Sequence, residues 1–398
     1  MIKKIAVTQL CVGMYVHDLH CGWMDHPFFR SQFLIDDEAT RQKILQAGIR
    51  ELSIDTARGL DVPAAAPDQP ADTSPQCELS TLPGRLAALS PTEEYQRAKK
   101  VYADASKLMQ NMMHDVRLGK QLRIDRCEPM IEHIVDSMFN LPSALLPLAQ
   151  IKSKDEYTFQ HSVSVAALTV AFGRVLDLPR DEIGQAALGG FLHDVGKAKV
   201  PGHILNKPGK LTDDEFVVMR DHASHTAHLL QDAGLSEVAF NAASQHHERY
   251  DGSGYPQRLQ GEQISLHGQM MAIVDVYDAL TSLRVYHKPI PPTEALRRLM
   301  EGAGSHFNTR LVHAFIKGIG IYPAGSLVRM QSGRLGIVRH VSSEKLLQPV
   351  VQLIFDCTRA CLIPPEVIDL AEADDKVESH ESFEKWGLDP VQWVSAPA

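Results

Sequence analysis

Nineteen histidines are spread through the 398 residues, and a small set of them sits among apolar neighbours where a polar ring needs a reason. His161 lies in Tyr157-Thr158-Phe159-Gln160-His161-Ser162, followed by Val163, Val165, Leu168 and Val170, a helical pattern. The pair His193-Asp194 ends an apolar helical run (Ala186, Leu188, Phe191, Leu192) and leads into Val195-Gly196-Lys197, where Gly196 is suited to stop the helix. Asp275 stands inside Ala272-Ile273-Val274-Asp275-Val276-Tyr277-Asp278-Ala279-Leu280. A carboxylate on such a face is costly unless it is paired or holds a metal ion. Asp278, one turn later, competes with Asp275 for that role and suits a structural hydrogen bond as well.

Adjacent helical residues diverge by roughly 100°, so His193 and Asp194 cannot easily serve one ion from one side, but they can straddle two. An aspartate has two oxygens and can bridge ions roughly 3.5–4 Å apart, the spacing used in two-metal phosphoryl chemistry. The pair His246-His247 falls where a helix over Val238–Gln245 meets the loop Glu248–Pro256, and a helix end lets both rings turn inward. His222 shares its helix with His225 and His228 at three-residue spacing, and geometry alone does not choose among them. Five histidines and two aspartates make a nitrogen and oxygen donor set, suited to Fe, Mn or Zn rather than to Mg or Ca.

The elements that must position these groups read as a multi-domain α+β chain with an all-α helical bundle at its core. Residues 1–60 mix short β-like runs (Ile5–Val7, Met14–Val16, Leu52–Ile54) with a helix near Glu38–Ala47 that closes at Gly48, a small N-terminal α/β module. Thr56–Leu89 carries Pro63, Pro67, Pro70, Pro75 and Pro83 and reads as a linker, placed at 61–89. A helical connector over 90–152 opens with Ser90 as cap, Pro91 in the first turn and Glu93 closing a capping box. Its seam of Ala98, Val101, Ala105, Leu108, Met112 and Val116 fits packing on the helix of Met130–Phe139, with a dimerising coiled coil as the alternative.

Consecutive amphipathic helices fill 153–318, one opened by Thr212-Asp213-Asp214-Glu215 and a late one by Pro292-Thr293-Glu294. Beyond Gly320, Leu327, Val328, Ile337, Val338, Val350, Val351, Leu353 and Phe355 predict a short β appendage over 319–372 with a turn at Ser332-Gly333. The acidic stretch 373–398 reads as a solvated tail.

With 40 basic against 49 acidic residues, a broad surface tracking long nucleic acid is not expected, although a local basic pocket for a small anion is. Six scattered cysteines without a CxxC pair point to a reducing compartment and free thiols. No run of about 18 apolar residues occurs and the N-terminus lacks a cleavage site, so a cytoplasmic protein without a membrane segment is expected.

The motif series resembles the HD-GYP branch of the HD phosphohydrolase superfamily. The likeness runs through Tyr157–Ser162, Leu192-His193-Asp194-Val195-Gly196-Lys197 and Ile204–Thr212. It continues in His246-His247-Glu248-Arg249-Tyr250-Asp251-Gly252-Ser253-Gly254-Tyr255-Pro256 and Asp275–Ser282, so that it covers about 153–318. The resemblance implies an HD-type bundle that hydrolyses cyclic di-GMP to linear pGpG, with a further step to GMP open, by a hydroxide bridging two divalent ions. Carried over by residue, it implies that His161, His193, Asp194 and Asp275 hold one ion and that Asp194 bridges to a second held by His222, His246 and His247.

The same likeness makes Lys197 a catalytic partner of Asp194 that grips a phosphate oxygen, and Arg284 a phosphate or guanine contact. His287 stands where the family often has a second basic residue, with Lys288 beside it. Some members bind a third ion through a glutamate where this chain has Tyr157, with Glu156 one residue away, which favours two ions here. The loop Gly254-Tyr255-Pro256 can be a tight connection by its composition alone; the resemblance places it beside the substrate or a diguanylate cyclase-type partner. The N-terminal part looks like a domain of unknown function that often precedes HD-GYP domains. Two other functions fit the same residues: a phosphodiesterase for another cyclic dinucleotide such as cyclic GMP-AMP, and a non-catalytic receptor that signals on binding.

Overall fold

Alternating apolar residues build an antiparallel sheet in the N-terminal unit, Met1–Gly84. Its strands β1 (Ile2–Ala6), β2 (Tyr15–Asp18), β3 (Phe33–Leu34) and β4 (Glu51–Asp55) run in the order β1-β4-β2-β3. Ile5, Leu10, Met14, Val16, Ile35, Ile44, Leu52 and Ile54 form its own core. In this computed structural model the described residues of the unit are 2–7, 10–11, 13–18, 33–35, 41, 44–45, 51–56 and 58–60; in the second unit, Arg85–Ala398, they are 91–150, 157–282, 289–342 and 345–394. Most of the helix expected near Glu38–Ala47, the linker 61–89, the cap at Ser90, and Glu156, Arg284, His287 and Lys288 lie outside the described residues.

Ten helices of the second unit carry the chemistry or its supports. They are α1 (Pro91–Arg117), α2 (Cys127–Asn140), α3 (Pro142–Gln150), α4 (Tyr157–Val175), α5 (Arg180–Leu192), α6 (Asp213–Gln231), α7 (Glu237–Ser244), α8 (Leu266–Thr281), α9 (Pro292–Glu301) and α10 (Thr309–Ile319). Thr212 caps α6 in a complete capping box with Glu215, and Pro292 opens α9 in its first turn, both as their sequences predict. On α1 the seam residues Ala98, Val101, Ala105, Met112 and Val116 are buried within the chain's own core, while Met109 is fully buried in place of the half-buried Leu108. The stretch expected as a connector thus shares one core with α4, α5 and α7, through Ile134, Leu145, Val163, Ala187 and Ala243 among others.

A second core joins α4 and α8 to α9 and α10, with Phe172, Met271, Ile273, Leu296 and Phe315. Helix α4 feeds both cores, which explains why its sequence is apolar on every side: the helix is buried all round.

The C-terminal sheet has the order β8-β7-β6-β5-β9, with β5 (Leu327–Met330), β6 (Arg334–His340), β7 (Val350–Asp356), β8 (Cys361–Asp369) and β9 (Val377–Glu381), all antiparallel. Strand β9 corrects the expectation of a solvated tail over 373–398. It pairs along β5, and buried Glu381 accepts hydrogen bonds from Lys385 Nζ at 2.6 Å and Trp386 Nε1 at 2.9 Å. Trp386, Leu388 and Trp393 pack on Leu327, Leu335 and Ile337. The segment's net charge masked a few apolar anchors sufficient to fold it.

Phe315 wedges between Phe172, with ring centroids 5.1 Å apart, and Tyr277 of α8, at 5.2 Å. Phe315→Ala is expected to lower stability by about 3–5 kcal/mol, read from the shift of the denaturant midpoint of the helical unit, because it opens a cavity behind the helix that carries Asp275.

Candidate metal centre

Five helices deliver seven side chains to one place. Helix α4 supplies His161, the end of α5 supplies His193 and Asp194, α6 supplies His222, the end of α7 supplies His246 and His247, and α8 supplies Asp275. Donor atoms of His161, His193 and Asp275 lie within 4.8 Å of one another, as do those of His222, His246 and His247, and those of His193, Asp194 and His246. Six of the seven residues are buried and His247 is half-buried. Of the three histidines that share α6, His222 is buried beside His246 and His247, whereas His225 and His228 are exposed.

Asp194 stands between the two sets. Its Oδ2 is 3.4 Å from His193 Nε2 and 3.7 Å from His161 Nε2, and its Oδ1 is 3.5 Å from His222 Nε2. On the first side His161 Nε2 is 3.0 Å from Asp275 Oδ1. On the second, His222 Nε2 is 3.4 Å from His246 Nε2 and 3.2 Å from His247 Nε2. Lone pairs converging at such distances suit a shared cation. Among the described residues the buried Nε2 atoms of His161 and His193 make no hydrogen bond of good geometry, the kind of unsatisfied donor or acceptor a metal ion would engage.

Ring orientation is set one bond away. The Nδ1–H of His193, His222 and His246 donates to the carbonyl three residues earlier, at Gly190 (2.7 Å), Met219 (2.6 Å) and Ala243 (2.7 Å). His161 Nδ1 meets Asp278 Oδ2 at 2.6 Å. All four rings therefore present Nε2 inward, as metal-ligating histidines do. Asp278 takes the structural hydrogen-bonding role that its sequence left in competition with Asp275. Tyr157 stacks on His161 with centroids 5.5 Å apart.

Gly196 does not stop α5 as expected. That helix already ends at Leu192, and Gly196 lies in a 3-10 turn over Val195–Lys199 where a Cβ would come within 2.1 Å of the His222 carbonyl. The glycine is there so that the turn can press against α6, and Thr226 fixes the contact: its hydroxyl donates to the His193 carbonyl at 2.8 Å and accepts from Gly196 N–H at 3.0 Å. Thr226 carried no signal in the sequence beyond its place one turn after His222.

Lys197 Nζ sits 2.5 Å from Asp194 Oδ2, at the centre of the site. Residues 254–256 flank the open side: the Tyr255 ring lies 4.6 Å from that of His247, and the Arg220 guanidinium lies over the Tyr255 ring, 4.3 Å from its centre. Buried Glu248 ties the loop down by accepting from Gln257 N–H at 2.7 Å and Leu259 N–H at 3.0 Å. Gly254 is required by a close approach, since a Cβ would fall 2.3 Å from Arg249 N. Glu248 and Arg220 were not singled out in the sequence; a glutamate directly after two inward histidines was the available clue.

Burial pushes His222 and His246 down to about 4, with Lys197 and His193 respectively reinforcing the effect, so both are neutral donors near pH 7. Burial works to raise Asp194 and Asp275, but the facing His193 and Lys197, and His161 for Asp275, outweigh it and hold both carboxyls well below the usual range.

Two outcomes follow from this arrangement. In the unfolded chain His222 and His246 take up protons near 6.5, whereas in the folded chain they resist until about 4. Their contribution is therefore complete above 6.5 and is lost as pH falls toward 4, at about 1.4 kcal/mol per unit of separation for each group. The metal-free protein's thermal midpoint should drop steadily between pH 7 and pH 4.5. Asp278→Asn should weaken metal affinity roughly 10–100-fold, read by competition with a chromogenic chelator, while Asp278→Glu restores part of it.

Residues 146–311 match the HD domain family, and residues 2–127 match a domain of unknown function (DUF3391) whose span takes in the N-terminal sheet and helix α1. Over 393 residues the chain is 41% identical to a cyclic di-GMP phosphodiesterase of Pseudomonas aeruginosa, covering 98% of this chain and 94% of that protein. It is 41% identical over 170 residues to a probable cyclic di-GMP phosphodiesterase of Vibrio cholerae, covering 39% of this chain and 38% of that one. It is also 32% identical over 213 residues to a 3'3'-cGAMP-specific phosphodiesterase 2 of Vibrio cholerae, covering 53% and 40%. No helix among the described residues is long and apolar enough to cross a membrane. Sharing 98% of its length with the Pseudomonas protein and matching the HD domain over 146–311, this chain belongs to the HD-GYP family of HD-domain phosphodiesterases.

Proposed function

We propose that this chain is a metal-dependent phosphodiesterase that hydrolyses cyclic di-GMP to linear pGpG. The observation that carries the reading is the position of Asp194, with one carboxylate oxygen facing His222 and the other facing His161 and His193. In this reading His161, His193, Asp194 and Asp275 hold one divalent ion, and His222, His246 and His247 hold a second that shares Asp194. Fe or Mn is the expected metal, with Zn also suited to the donors.

Two such ions acidify water and neutralise charge on phosphoryl oxygens. The chain's own groups do the rest. Asp194 and Asp275 stay ionised because their neighbours hold them so, which supplies the negative charge a dication requires. Lys197, anchored on Asp194, offers its ammonium to a non-bridging phosphate oxygen. Tyr255 and Arg220 present an aromatic face and a guanidinium on the open side, beside His247, where a guanine base and the second phosphate would lie. Arg284 and Lys288 add further phosphate contacts, and the Gly254–Pro256 loop doubles as a surface for a diguanylate cyclase-type protein. The setting is cytoplasmic, and a homodimer is compatible with the chemistry.

Hydrolysis of cyclic GMP-AMP is the second reading, favoured by the likeness to the Vibrio cholerae 3'3'-cGAMP-specific enzyme. Both are tested by giving the purified, Mn- or Fe-loaded chain cyclic di-GMP and 3'3'-cGAMP and resolving pGpG, GMP and the mixed products by chromatography. Asp194→Ala should lose bound metal and at least 100-fold in turnover. Faster cleavage of cyclic GMP-AMP selects the second reading, and tight binding without turnover, or an Asp194→Ala variant as active as the parent, overturns both.

A further inference from the structure

Away from the metal centre, a cavity of about 590 Å³ opens where the end of α2 and the start of α3 meet α4, α8, α10 and the C-terminal sheet. Its volume is that of a small-molecule site. Its walls are mainly apolar, with Leu141, Leu146, Leu168, Ala171 and Ile319. Two guanidiniums interrupt them. Arg174 donates to the Met138 carbonyl and lies 4.8 Å from the centre of the Phe139 ring. Arg339 donates to Gln352 Oε1 and to the Trp393 carbonyl at 3.0 Å.

These partners are neutral. Among the described residues neither arginine forms an ion pair with a carboxylate. Among the described residues the one carboxylate in the cavity wall is Asp278, which is engaged by His161 Nδ1 at 2.6 Å. Arg174 is exposed and Arg339 half-buried at the edge of these apolar walls, a combination that fits a ligand with an apolar body and a negative head able to make charge-assisted hydrogen bonds to a guanidinium.

We propose that this cavity binds an anionic amphiphile, a carboxylate on an aliphatic body, with its head on Arg174 and Arg339 and its chain against Leu146, Leu168 and Ala171. The site touches three parts of the unit at once, so an occupant ties the helices α2 and α3 and the sheet to the bundle. Because Asp278 belongs both to this wall and to the hydrogen bond that aims His161, occupancy also alters how tightly the metal centre holds its ion. The coupling rests on the metal assignment above; the binding site does not.

The test is titration calorimetry of the full chain with decanoate, decanol and decyltrimethylammonium, all below their aggregation limits. Decanoate should bind one per chain, at least tenfold more tightly than decanol, with no measurable binding of the ammonium. Arg174→Gln should weaken decanoate about tenfold and leave decanol unchanged, and Ala171→Phe, which fills the cavity from an independent position, should abolish both. Circular dichroism of each variant checks that the helices persist. Equal affinity for decanoate and decanol, several weak sites per chain, or decanoate binding unaffected by either folded variant would overturn the site. Saturating decanoate should shift the affinity for Mn²⁺ at least threefold in the parent and not in Arg174→Gln. An unchanged Mn²⁺ isotherm beside intact decanoate binding overturns the coupling alone.

Discussion

Asp194 and Asp275 must stay ionised although both are buried, and the rest of the helical unit is arranged around that demand. Burying a bare carboxylate is prohibitive, so each has to be met by partners on every side. Lys197 supplies one positive charge against the two negative ones, and the surrounding histidines, mostly kept neutral by burial, supply dipoles and lone pairs. That leaves the centre short of positive charge and rich in unprotonated nitrogen. Both deficits have the same remedy, a divalent cation, and the seven side chains are arranged as if to receive more than one.

Holding so many polar groups together requires helices that cannot drift. Helix α4 is pinned by two cores, one shared with α1 to α3 and the other with α8 to α10, and it carries His161 at its first buried turns. Helix α8 is fixed by the ring stack of Phe172, Phe315 and Tyr277 and presents Asp275 and Asp278 one turn apart. The end of α5 is set by the contact of Gly196 with α6. Each support lies within one or two turns of the ligand it positions.

Much of the site was legible in the sequence because its signals are local: polar residues that interrupt apolar helices, and adjacent pairs at helix ends. His161, His193, Asp194 and Asp275 announced themselves in that way. What could not be read was anything that depends on a partner far along the chain. The choice of His222 over His225 and His228 needs the bundle, because all three share a helix and only its packing turns one of them inward. Gly196 looked like a helix stop because glycine so often is one, whereas its reason is a carbonyl on another helix. The C-terminal segment misled through its charge: Glu381 is buried because Lys385 and Trp386 meet it, a satisfaction that composition does not reveal. In the sequence the helical connector reads as packing on its own second helix, Met130–Phe139; over 91–150 it also becomes one wall of a core shared with α4, α5 and α7.

The hydrogen bonds from His193, His222 and His246 to carbonyls three residues earlier have a consequence for the order of assembly. Each spans less than one helical turn, so the aim of those rings exists as soon as the helix does, on the time scale of helix formation. The carboxylates are different, because Asp194 and Asp275 come together only when α5 and α8 have closed on α4. The aim of each ring is thus a local property of its own helix end, whereas the meeting of Asp194 with Asp275 is a property of the closed bundle.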